Sequence, residues 1–172
     1  MKKYPASIIV LHWLTVILVA IVAYKGFHLE DYEFNAANFS KFRNHALLGI
    51  LILIITLVRF YLIKKHQNNL PQLHYYSNFH RLVVNAVHAM IYTLLILIPI
   101  VGFLNVLQTG AFGYCFGKEF PEGAQLNDTL HEMHEILAWF LFFLIAAHVL
   151  GVLMYMIKTK EKLIKRMCLL AK

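Results

Sequence analysis

Residues 127–158 read NDTLHEMHEILAWFLFFLIAAHVLGVLMYMIK, an apolar run that carries His134 and His148 fourteen positions apart. At about 100° per residue, fourteen steps come to nearly four whole turns, so both imidazoles leave one helix face to within roughly 40°. A rise of about 1.5 Å per residue separates them by about 21 Å along the axis. That is most of the way across a hydrocarbon core of roughly 30 Å. One helix thus offers a nitrogen ligand towards each membrane surface.

The rest of the chain fits such a helix. Of 172 residues, 60% are hydrophobic and only 15% charged, more apolar surface than a water-soluble domain of this size can bury. The expected fold class is all-α: an integral membrane four-helix bundle forming one domain over residues 1–172. Its spans run roughly over 5–27, 41–63, 81–106 and 128–157. The opening MKKYPASIIVLHW has the basic start of a signal peptide, but no small-residue cleavage site follows its long apolar run, so it reads as an uncleaved span. Pro99 predicts a kink in the third span. The connection over 107–126, rich in glycine and aromatics, is expected to lie along the membrane surface.

Charge sets an orientation. Lys2, Lys3, Arg59, Lys64, Lys65, Arg81, Lys158, Lys160, Lys162, Lys165, Arg166 and Lys172 flank one side, twelve of the sixteen basic residues. The other side holds Lys25, Lys41, Arg43 and Lys118 with eight of the nine acids. The positive-inside rule places both termini in the cytoplasm. The net charge of +7 is then a cytoplasmic collar facing membrane lipid and implies no nucleic acid. Cys115 and Cys168 fall on opposite sides and are expected to be free thiols.

Ten histidines are present, and depth sorts them. His12 of the first span and His148 lie in the inner half; His45 of the second span and His134 lie in the outer half. Ionisable side chains within spans usually face a partner in the bundle interior. Two neutral imidazoles from facing helices can ligate one haem iron axially, and the pairs His12/His148 and His45/His134 would hold two. The plainer alternative is a hydrogen bond from each imidazole to a neighbouring helix. Zinc lacks further Cys, Asp or Glu ligands, and a proton relay lacks mid-depth carboxylates. Gly49, one turn after His45, leaves room for a macrocycle or for helix packing. Arg59, fourteen after His45, reaches the depth of the inner pair, where it would meet a haem propionate or snorkel to headgroups. His88 lies near the inner level, suited to a propionate, a quinone carbonyl or an interhelical bond. Trp139 and Phe140 are expected to pack around the porphyrins. His28, His66, His74 and His131 are expected to be solvated.

The segments PASIIVLHWL, RNHALLGILILIITLVRF, VHAMIYTLLILIPIVG and HEILAWFLFFLIAAH together resemble the bacterial cytochrome b561 family over nearly the whole chain. The resemblance implies two non-covalent b-type haems, with metal ligands His12, His45, His134 and His148, in the cytoplasmic (inner) membrane. It implies a quinone-linked oxidoreductase that exchanges electrons with the ubiquinone pool, with superoxide outside as a candidate donor. Four basic residues against eight acids on the outer side are unfavourable for attracting that anion. The alternative is a haem-b anchor subunit that relays electrons for a soluble dehydrogenase, a hydrogenase or a periplasmic redox protein.

Overall fold

The computed structural model describes residues 2–72 and 74–169; Lys172, counted above among the basic flanks, lies outside them. Among these residues the fold is all-helical, without strands. Helix α1 spans Ala6–Phe27, α2 Phe39–Lys65, α3 Asn78–Gln108 and α4 Asp128–Thr159, and a short α5 covers Leu163–Arg166. Each of the first four is long and apolar enough to cross a membrane. Their ends differ from the expected spans by at most three residues, the largest being Asn78 against 81.

Local chemistry sets the helix starts. Pro5 precedes the first turn of α1, where its missing N–H costs nothing. Ser77 Oγ accepts from the His80 N–H at 3.0 Å, and Asn127 Oδ1 accepts from the Leu130 N–H at 3.0 Å, capping α3 and α4. Helix α3 continues through the buried Pro99 without interruption.

Backbones approach closely between α1 and α2, α2 and α3, and α3 and α4. We call "lower" the end with the N-terminus, the 66–77 connection and α5, and "upper" the end with the other two connections. Midway, Leu18, Ile52, Ile55, Leu94, Leu95, Leu141 and Leu144 interlock as a buried apolar layer. Other large apolar side chains, among them Ile54, Phe143 and Ile157, point outwards, as lipid-facing positions do.

Polar groups fasten both ends. At the top the 107–126 connection does not simply lie flat. It forms a 3-10 helix over Ala111–Phe116 and then folds Phe120 against Phe34, Phe39 and Tyr114, roofing the bundle. At the bottom the basic tail is docked. Arg166 pairs with Glu161 at 2.9 Å and donates to the Gln72 carbonyl at 2.9 Å. The Trp13 indole N–H donates to the Met167 carbonyl at 2.8 Å. Burial raises the Tyr4 phenol above its ordinary pKa, opposed by the positive charge of Arg166.

Asn105 on α3 sets the register of α4. Its Oδ1 accepts from the Asn127 N–H at 2.8 Å and its Nδ2 donates to the Asn127 carbonyl at 3.3 Å, with the side chain only 4% exposed. Asn105→Ala would take the side-chain partner from the Asn127 N–H and one of two donors from its carbonyl, which keeps the His131 N–H, a loss of about 0.5–1.5 kcal/mol. Thermal unfolding in detergent should therefore shift clearly downwards; an unchanged midpoint would mean that water replaces the clamp without cost.

Candidate functional site

The upper half of the bundle encloses a cavity of about 1070 Å³ between all four long helices. His45 from α2 and His134 from α4 both line it, with their ring centroids 6.0 Å apart and planes at 68°. Two imidazoles this close across one cavity would suit a single iron as a pair of nitrogen donors, and the cavity is of the size that takes a large organic ligand.

Each imidazole is backed by a helix. His134 Nδ1 lies 3.0 Å from the Ile98 carbonyl of α3, which makes Nδ1–H the donor and leaves Nε2 as the lone-pair nitrogen. Gly102, one turn beyond Ile98, makes the approach possible: a Cβ there would stand 2.9 Å from His134 Cε1 and 3.0 Å from Nδ1. The same relation recurs on the other side. A Cβ on Gly26 of α1 would stand 3.1 Å from His45 Cε1. His45 Nδ1 is buried without a hydrogen-bond partner among the described residues. Gly49 also lines the cavity, where a Cβ would touch Pro99 at an ordinary 3.5 Å.

The mouth of this cavity is acidic. Glu30, Glu33, Glu122, Asp128 and Glu135 line it, and no Lys or Arg is among the lining residues. Lys41 stands aside, with its Nζ 3.0 Å over the Tyr32 ring and bonded to Asn38 Oδ1 at 3.2 Å. His131, expected to be merely solvated, lines the cavity one turn before His134. Trp139 lines it too, packed against Phe27 and Phe142. Phe140 turns away from it, stacks on Phe143 and is 43% exposed.

The lower half gathers polar groups from four helices. His12 and His148 lie within electrostatic reach of one another, and Arg59 is near both. Arg59 sets its guanidinium 5.4 Å from the centroid of the Tyr92 ring. His88 packs edge-on to His148, centroids 4.9 Å apart, but its Nδ1 bonds the Val84 carbonyl of its own helix at 2.7 Å, so that nitrogen makes no interhelical bond. His12 Nδ1, Thr56 Oγ1, Arg59 Nε and Tyr92 Oη are buried with no hydrogen-bond partner among the described residues. Among the described residues no carboxylate pairs with Arg59. Several orphaned polar atoms inside an apolar bundle are expensive, and a bound carboxylate-bearing group would satisfy them.

Sequence reading did not find Gly26, Gly102, Asn105, Tyr92 or Thr56. Gly102 carried one signal: it lies three residues after Pro99 in a span otherwise free of glycine.

The family model described as prokaryotic cytochrome b561 matches residues 3–168. A protein of Yersinia pestis named "Probable superoxide oxidase CybB" is 29% identical over 170 residues, covering 96% of each chain. With four membrane-length helices and a match over nearly its full length, the chain belongs to the prokaryotic cytochrome b561 family of membrane electron-transport proteins.

Proposed function

We propose that this chain, acting as one domain over residues 1–172, is a quinone-linked oxidoreductase that carries electrons across the bacterial inner membrane by means of two b-type haems. His45 and His134 would hold one, His12 and His148 the other. The observation that carries this reading is the His45–His134 pair: two rings 6.0 Å apart across a cavity, one with its Nδ1 committed to a backbone carbonyl. When bound, the haem supplies a one-electron ferrous/ferric couple.

The chain's own residues do the rest. The Ile98 carbonyl fixes the tautomer and orientation of His134, as a second partner commonly does for a ligating histidine. Arg59, with Tyr92 and Thr56 nearby on the lower side, would take a propionate through charge-assisted bonds. The Leu/Ile layer keeps water from running between the two sites, so protons do not leak where electrons pass. His88, beside His148, is a candidate contact for a quinone carbonyl. The upper end would face the periplasm and both termini the cytoplasm, which the distribution of basic residues supports. The name of the Yersinia pestis relative supports superoxide as donor. The roofed upper end supports the second reading, docking of a redox protein, only through its acidic rim.

Ligand assignment is tested by haem content. His134→Ala should lose the upper haem and His148→Ala the lower, each leaving about one haem b per chain in place of two, with distinct low-spin spectra. A full haem complement in either variant would sink the assignment.

The donor is tested by salt. Superoxide approaching a mouth lined by five carboxylates is repelled, and added salt screens the repulsion. The rate at which superoxide reduces the holoprotein should rise with ionic strength. A fall would mean that Lys25, Lys41 and Arg43 steer the anion instead.

A further inference from the structure

The two histidine pairs are built into unlike surroundings, and three separate features bias them the same way. The first is the backbone contact. His134 donates from Nδ1 to the Ile98 carbonyl at 3.0 Å. A hydrogen bond of this kind raises the basicity of the ligating nitrogen and so favours the more highly charged ferric iron. His45 Nδ1 and His12 Nδ1 are both buried with no partner among the described residues, so this difference between the sites rests on His134.

The second feature is the room that makes that contact possible. The Ile98 carbonyl lies one turn before Gly102, which abuts the Cε1 edge of His134, and Gly26 abuts the Cε1 edge of His45. No glycine abuts His12 or His148; Gly151, three residues after His148, has nothing within 4 Å of its would-be Cβ.

The third feature is charge. Five carboxylates and no Lys or Arg line the upper cavity; Lys25 acts on His45 from outside that lining, but the surplus of negative charge favours the ferric state there. Arg59 stands by His12 and His148. Its positive charge disfavours the ferric state, and if it pairs with a propionate it cancels a negative charge that would otherwise favour that state.

From these we infer that the His45/His134 site is set to a lower reduction potential than the His12/His148 site, with Gly102 as the positioning residue that lets the Ile98 carbonyl tune His134. This rests on the two-haem function proposed above. With the upper end outward, electrons then run downhill from outside to inside, which suits a donor at the acidic cavity and an acceptor at the lower side.

The test is a potentiometric titration of the purified holoprotein, followed by its absorption and by electron paramagnetic resonance of the ferric form. Wild type should show two steps, and His134→Ala should retain only the one at higher potential. Gly102→Ala should raise the lower step alone and alter the g-values of one ferric signal, because a methyl 2.9–3.0 Å from the ring must push His134 off its carbonyl. Gly26→Ala crowds His45 at 3.1 Å, whose Nδ1 has no bond to lose, and should move the lower step less than Gly102→Ala. If Gly102→Ala sheds the upper haem, the step retained by His134→Ala decides the order of the two sites. Gly151→Ala should move neither step, and Arg59→Gln should lower the upper-potential step alone. Two haems with the His45/His134 step at or above the other would overturn this inference and leave the function standing. A chain that binds no haem b would overturn both.

Discussion

An imidazole inside a bilayer must place two ring nitrogens where water is absent. At the upper site α3 provides an answer for His134: Nδ1 goes to a helix carbonyl and Nε2 is left facing the cavity. A helix carbonyl already accepts one intrahelical bond, and it can take a second only from a group that comes very close. Gly102 provides that closeness, since any Cβ there would collide with the ring. The availability of His134 Nε2 as a ligand therefore depends on a backbone contact made by a different helix. Asn105, one turn further along α3, holds the start of α4 in the register that the contact needs.

Electrostatics divides the molecule along its length. The upper cavity is rimmed by carboxylates, while the lower site contains a buried guanidinium with no acidic partner among the described residues. Between them lies a layer of leucine and isoleucine side chains. A Coulomb term falls with separation, so each site feels the charges at its own end most strongly. The bundle thus combines a low-dielectric separator with opposite charge at its two ends, an arrangement suited to moving charge in one direction.

The lower end is also more closed than a loose basic tail would make it. Arg166 joins α5 to Glu161 and to the 66–77 connection, Trp13 reaches Met167, and Tyr155 donates its hydroxyl proton to the His74 carbonyl at 3.1 Å. These contacts cover the floor beneath His12 and Arg59. Tail residues that the sequence assigns only to lipid headgroups are thereby part of the wall around the lower polar cluster.

Sequence by itself determined the class, the four spans and the depth of each histidine. Hydrophobic length and helical rise fix where a residue sits along the membrane normal, with no knowledge of its neighbours. It placed His134 and His148 on one face for the same reason, and put His45 at the depth of His134 and Arg59 at the depth of His12 and His148. Tertiary structure alone decided azimuth and contact: that Gly26 and Gly102 abut imidazoles while Gly49 meets Pro99, that Phe140 turns outward while Trp139 turns in, and that His131 joins the cavity. These depend on which helices become neighbours and how each is rotated. An almost uniformly apolar span has no polar face from which to read that rotation, so only packing against its neighbours sets it.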